Sequence, residues 1–111
     1  MKLKTEEKMS KQTIYISGKI TGQLDCAKRI FDYAEKRLKA RGLKVLNHFN
    51  FKNDHDKSWE SYMKVCVVEL MKADEIWMLP DWQRSKGAKV EHKIAQEVGI
   101  CIRYIVNVEL I

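Results

Sequence analysis

One glutamate stands where a charge is costly. From Gly87 to Val98 (GAKVEHKIAQEV) the apolar residues recur at helical spacing. At about 100° per residue, Ala88, Ile94, Ala95 and Val98 project within about 60° of Glu91. Glu91 is therefore a carboxylate at the centre of an apolar stripe, and burying it requires a pairing or hydrogen-bonding partner. Spacing alone leaves two readings open. Glu91 is either a structurally paired side chain or a functional acid, base or nucleophile.

Two loops could bring a ligand to it. Ser85-Lys86-Gly87-Ala88 offers a Ser at the N-cap, a Gly where backbone can approach a ligand, and the free N–H groups of a helix start. A phosphate would suit that place, with Lys86 or Arg84 adding charge; an ordinary N-cap would look the same. The second loop, Ile16-Ser17-Gly18-Lys19-Ile20-Thr21-Gly22, follows an apolar strand pattern. It is neither GxGxxG nor a P-loop ending in GK[ST], so it signals close approach without naming a nucleotide. Of the tryptophans Trp59, Trp77 and Trp82, Trp77 falls mid-strand and reads as core, whereas Trp82 lies in a loop and is a candidate for stacking a base. His48, His55 and His92 show no metal-ligand spacing with one another or with the cysteines, so no metal and no cofactor are expected. Cys66 lies on an apolar helix face and reads as an inert buried thiol. Asp54 and Asp56 read as turn formers, and Asp74 as the start of a strand.

The elements that must position these residues follow from periodicity. Thr13–Ser17 is β-branched and aromatic, hence a strand. Ala27, Ile30, Phe31, Ala34 and Leu38 mark a helix over about 23–41, stopped by Gly42. Leu43–Asn47 is a second strand and His48–Lys57 (HFNFKNDHDK) a polar, turn-rich loop. Ser58 caps a helix reaching Lys72, with Trp59, Met63, Cys66, Val67 and Leu70 on one face. Glu75–Leu79 is a third strand, ended by Pro80. Asp81–Lys86 is a loop, Gly87–Val98 the last helix, closed by Gly99, and Cys101–Val106 the last strand. Strict β-α alternation predicts an α/β fold: a Rossmann-like (flavodoxin-like) parallel sheet of four to five strands with helices on both faces. Ligands of such sheets bind beyond the carboxyl ends of the strands, which selects the loops Gly18–Gly22, His48–Lys57 and Asp81–Lys86.

Composition narrows the class. The chain has 111 residues, 45% of them hydrophobic, with Lys+Arg 21 against Asp+Glu 15 and a formal charge of +6. This suffices for one domain with a modest core and excludes a disordered tail. Residues 12–111 are read as that domain, and residues 1–11, charged and without an apolar run, as a frayed lead-in rather than a secretory leader. No apolar run is long enough to span a membrane. Three dispersed cysteines, Cys26, Cys66 and Cys101, suggest reduced thiols in a cytoplasmic protein. Lys28, Arg29, Lys36, Arg37, Lys39, Arg41 and Lys44 surround the stripe of the first helix and read as its solvated face; no aromatic series is interleaved with them, so a nucleic-acid partner is not expected.

Taken together, the motifs resemble a known family. Tyr15-Ile16-Ser17-Gly18-Lys19-Ile20-Thr21-Gly22, Phe31-x-x-Ala34-Glu35-x-x-Leu38, Gly42-x-x-Val45-x-Asn47, Trp59-x-x-Tyr62-Met63, Ala73-Asp74-x-Ile76, Leu79-Pro80-x-Trp82-x-x-Ser85-x-Gly87-Ala88-x-x-Glu91 and Ala95 follow the order of the DUF4406 group. That group looks like nucleoside 2-deoxyribosyltransferases and deoxynucleoside 5′-monophosphate N-glycosidases, and the resemblance covers residues 12–105. It implies attack on C1′ of a deoxyribosyl group, with Glu91 as nucleophile and Tyr15 orienting its carboxylate. Ser85 and Gly87, with Ser17, Gly18, Lys19, Ile20 and Gly22 of the first loop, would then hold a nucleoside or nucleotide, including a 5′-phosphate. A homodimer or larger homo-oligomer is implied as well. Two positions depart from the pattern. Lys19 stands where the family commonly has Pro, and Cys66 where it usually has an acidic residue, eight positions before Asp74. A thiol cannot replace a carboxylate in binding or proton transfer. The second expectation is therefore a non-catalytic nucleotide-binding module that has lost its catalytic acid.

Overall fold

The computed structural model describes residues 12–52 and 58–111. The expected lead-in over 1–11, and Asp54, His55 and Asp56 of the predicted loop, lie outside the described residues. The strands are β1 (Thr13–Ser17), β2 (Lys44–Leu46), β3 (Glu75–Met78) and β4 (Cys101–Tyr104), and the helices are α1 (Leu24–Lys39), α2 (Trp59–Leu70) and α3 (Lys86–Val98). Among the described residues, three 3-10 turns, His48–Asn50, Trp82–Arg84 and Val108–Leu110, complete the order.

All strands are parallel, in the order β2-β1-β3-β4. The expected parallel α/β architecture is therefore present, with four strands. From β1 the chain moves outward to β2, then returns across β1 to β3. The loops leaving β1 and β3 consequently diverge and open a crevice between them, the place where such sheets bind ligands.

Alternation along β1 explains the two cores. Ile14 and Ile16 face α1 and pack with Ala27, Phe31, Ala34 and Leu38. Tyr15 faces the other way and packs with Cys66 and Leu70 of α2, Ala88 and Ala95 of α3, and Ile76 and Met78 of β3. A central strand covered on both faces has few positions for polar groups, yet Ser17 at its carboxyl end is fully buried. Trp77 is core, as its strand position suggests. Of the basic stretch, Lys28, Arg29, Lys36, Arg37 and Lys39 lie on the outer side of α1, where Lys28 pairs with Asp32 and Lys39 with Glu35, whereas Arg41 follows the helix and Lys44 opens β2.

Element ends differ from expectation for local reasons. β2 is shorter than Leu43–Asn47 because the Leu43 N–H bonds back to the Leu38 carbonyl and the Asn47 side chain accepts from the Phe49 N–H. β4 stops at Tyr104, after which the Ile105 N–H makes one last bond to the Met78 carbonyl. Gly99 closes α3 with φ of 80°. A Cβ in that left-handed conformation is disfavoured by roughly 1–2 kcal/mol. We expect Gly99→Ala to lower stability by about 1 kcal/mol, read as a lower urea midpoint with an unchanged m value.

Candidate functional site

The carboxyl end of β1 supplies two hydroxyls on one face, Tyr15 and Ser17. The start of α3 supplies the carboxylate. Ser85 caps that helix by accepting from the Ala88 N–H at 3.1 Å, which fixes its first turn above the sheet edge. Glu91, 1% exposed, then points down to β1. Tyr15 Oη donates to Glu91 Oε2 at 2.5 Å and Ser17 Oγ donates to Oε1 at 2.6 Å. Both carboxylate oxygens are thus held by neutral donors, which answers the cost of burial and fixes the carboxylate's plane.

A third group completes the cluster. His48, in the turn after β2, is 6% exposed and enclosed by the rings of Phe31 and Phe51. Asn47 anchors the turn by donating to Asp32 Oδ1 and Glu35 Oε1. His48 Nε2 lies 3.0 Å from Tyr15 Oη and 3.6 Å from Glu91 Oε2. Tyr15 has a single proton, given to Glu91, so Nε2 must carry the hydrogen on the imidazole side. Nδ1 lies 2.8 Å from Tyr62 Oη and 3.4 Å from Cys66 Sγ.

Burial opposes a charge on His48, but the adjacent Glu91 carboxylate outweighs it, and His48 is pushed up to about 9. At neutral pH it is therefore an imidazolium, with Nδ1–H donating towards Tyr62. Burial, followed by the charge on Glu91, raises the Tyr15 phenol well above its usual range. Burial and the neighbouring Cys66 and Glu91 raise that of Tyr62. Both phenols keep their protons at any physiological pH.

Above this cluster lies a cavity of about 560 Å³, a size suited to a small molecule. Gly18, Lys19, Ile20 and Thr21 line one side, Trp59, Tyr62 and Met63 the second, and Arg84, Ser85, Lys86, Gly87 and Ala88 the third, with His48 and Glu91 also in its wall. Lys86 Nζ sits 4.0 Å over the Trp59 ring. Among the described lining residues Glu91 is the sole acid, so Lys19, Arg84 and Lys86 give the mouth a positive potential. Gly18 is required by packing. A Cβ there would meet Leu79 side-chain atoms at 2.9 and 3.0 Å. Gly87 brings α3 against α2, where a Cβ would lie 3.2 Å from Met63 Sδ.

Of the residues singled out from sequence, Glu91, Gly18, Lys19, Ile20, Ser85 and Gly87 share this cavity, and Tyr15 and Ser17 support its carboxylate from below. Gly22 and Trp82 are not in the wall. Gly22 turns the chain towards α1 with φ of 83°. Trp82 stacks on His92 at 4.3 Å between ring centroids and leans on Tyr104, beside β4. The tryptophan in the cavity is Trp59. Sequence reasoning also passed over His48, Tyr62 and Asp81. Asp81 pins the first loop, accepting from the Lys19 N–H at 3.2 Å and from Gln23 Nε2 at 2.9 Å. One signal for His48 was present: the aromatic residues Phe49 and Phe51 following it mark the start of that polar loop as partly buried.

Spacing gave no metal set, yet the fold brings donor atoms of His48, Cys66 and Glu91 within 4.8 Å of one another. Glu91 is engaged with Tyr15 and Ser17, His48 with Tyr15 and Tyr62, and Cys66 Sγ lies against His48 Nδ1, so the three are joined in one hydrogen-bond network. Its chemistry is that of a fixed carboxylate beside a protonated imidazole.

A family model described as "Domain of unknown function (DUF4406)" matches residues 12–104. The match runs from the start of β1 to the end of β4. No curated protein matches the chain.

Proposed function

The chain belongs to the DUF4406 family, and from the setting of Glu91 we propose that it hydrolyses or transfers the N-glycosidic bond of deoxynucleosides or their 5′-monophosphates. One observation carries this reading. A buried carboxylate, aimed by Tyr15 and Ser17, forms part of the wall of a nucleoside-sized cavity at the ligand-binding edge of the sheet. The resemblance of the motifs to nucleoside 2-deoxyribosyltransferases supports the substrate class.

In this mechanism a Glu91 oxygen attacks C1′, the C1′–N bond breaks, and a glycosyl ester forms. Water, or a second base, then displaces Glu91 from C1′, with net retention. Tyr15 and Ser17 keep the attacking oxygen in place and spare it solvent reorganisation. Trp59 offers a flat apolar face for the base, and the cationic mouth favours an anionic substrate. A second copy of the chain closing the open side of the cavity belongs to the same reading, and sedimentation at micromolar concentration tests it.

A non-catalytic nucleotide-binding module is the second reading. Cys66 favours it: fully buried and 3.4 Å from His48 Nδ1, it offers no carboxylate where the resemblance has one. Chromatography of free base from the deoxynucleosides and their 5′-monophosphates separates the two. Base release supports the enzyme; binding without release supports the module. We further expect Lys19→Ala/Lys86→Ala to raise KM for a 5′-monophosphate about tenfold, the worth of roughly one charge-assisted hydrogen bond, and to leave the nucleoside nearly unaffected.

A further inference from the structure

The loop that follows β1 forms one wall of the cavity through Gly18, Lys19, Ile20 and Thr21. Ile20 packs against the core beside α1. At Lys19 packing gives out, because this residue also borders a second cavity of about 150 Å³, edged by Ala27, Ile30, Phe31, Leu79 and Val108. A loop with few apolar contacts keeps one shape only if its polar groups are tied down.

Two side chains tie this one. Asp81, just past β3, accepts from the Lys19 N–H at 3.2 Å through Oδ1 and from Gln23 Nε2 at 2.9 Å through Oδ2. Gln23 Nε2 also donates to the Lys19 carbonyl at 3.1 Å, and the Gln23 N–H donates to the Ile20 carbonyl at 3.1 Å. Both ends of the segment 19–23 thus converge on one carboxylate. The approach depends on Gly18, where a Cβ would lie 3.3 Å from Asp81 Oδ1. Gln23 carries a further sign of this task. It occupies the N-cap of α1, where Ser, Thr, Asp or Asn would satisfy a free helix N–H, yet its side chain makes no capping hydrogen bond. The side chain serves the loop instead of the helix.

We propose that Asp81 and Gln23 are positioning residues, a clip that shapes the loop so that Lys19 is presented to the 5′-phosphate of a deoxynucleotide. The inference rests on the reading of this cavity as a nucleotide site, and not on the glycosidic chemistry. Oδ1 takes the main-chain N–H of Lys19, which aims the residue without engaging its ammonium. The clip also predicts a sign. A carboxylate that was merely a neighbour would repel a phosphate, so its removal would tighten binding. A carboxylate that clips the loop does the opposite when removed, because the substrate must then order the loop itself.

Titration calorimetry with 2′-deoxyguanosine 5′-monophosphate and 2′-deoxyguanosine tests this on the Glu91→Gln background, where neither ligand is consumed. Asp81→Ala and Gln23→Ala should each raise the Kd of the monophosphate about threefold, the worth of roughly one net hydrogen bond, and that of the nucleoside less. Asp81→Asn keeps an acceptor for the Lys19 N–H and loses the charge, so it should bind the monophosphate at least as well as Glu91→Gln alone. Once Lys19 is Ala, removing either member of the clip should cost nothing further, whereas independent effects would multiply to about ninefold. Gln23→Ala removes no helix cap, so its urea midpoint should match that of Glu91→Gln alone; it decides the matter even if Asp81→Ala folds poorly. Tighter monophosphate binding by Asp81→Ala, an unchanged Kd in Gln23→Ala, or effects that multiply with Lys19→Ala would overturn the clip and leave the nucleotide site standing. If Glu91→Gln alone binds neither ligand, the nucleotide reading falls and the clip with it.

Discussion

Glu91→Gln is expected to reduce base release by 10³-fold or more while nucleotide affinity changes only a few-fold. The substitution is close to isosteric. Its amide oxygen can accept the Tyr15 hydrogen bond, and its NH₂ can donate to Ser17 Oγ, so each partner keeps a contact across the short Glu91 bonds. What disappears is the anionic oxygen that attacks C1′, and no other carboxylate among the described lining residues can replace it. Binding should persist because Lys19, Lys86 and Trp59 at the mouth are unchanged. Turnover by chromatography and affinity by titration calorimetry, measured on one preparation, check both halves. If the variant kept a tenth or more of wild-type turnover, Glu91 would not be the nucleophile. If wild type and variant bound nucleotide equally and neither released base, the binding-module reading would stand.

How far such a site can be read from sequence depends on which contacts are local. The strands and helices follow from alternation and helical spacing within short windows, and β-α alternation selects the loops at the ligand edge, but the crevice between β1 and β3 depends on the strand order, a tertiary property. Glu91 is legible because its anomaly lies within one helix: a charge among Ala88, Ile94, Ala95 and Val98 shows without any tertiary knowledge. Its partners are another matter. Tyr15 is 76 positions from Glu91 and 33 from His48, and nothing in either local pattern announces the meeting. His48 was hidden by its surroundings, since the loop that follows it is polar and only Phe49 and Phe51 hint at burial. The two tryptophans show the limit most clearly. Trp82 lies in a ligand-edge loop, yet that loop turns towards β4 and hands its ring to His92 and Tyr104. Trp59 looked like one more apolar residue on α2, but the helix begins at the crevice and its first residue faces the cavity. Loop membership is visible in a sequence; the direction in which a loop turns is a tertiary property.

The charge state of His48 links the site to the stability of the whole fold. Its folded pKa of about 9 lies above the unfolded value near 6.5, so in that interval the native state binds more protons than the unfolded chain. The stabilisation is fully present below about pH 6.5 and is lost as pH rises through 9. Integrated over the interval it amounts to on the order of 3 kcal/mol, a large share of the stability of a domain this size. Tyr15 and Tyr62 do not blur the interval, because both phenols are held above it. Urea denaturation at pH 6.5, 8 and 9.5 should show the unfolding free energy falling across the series. Glu91→Gln provides the control, because the carboxylate is what makes a buried imidazolium favourable. Without it burial prevails, His48 stays neutral, and the fall with pH should largely vanish. The variant should then be less stable than wild type at pH 6.5 and approach it by pH 9.5. An equally steep fall in both proteins would mean that groups other than the His48–Glu91 pair set the pH dependence. A fall confined to the wild type would tie the carboxylate that does the proposed chemistry to the proton on His48.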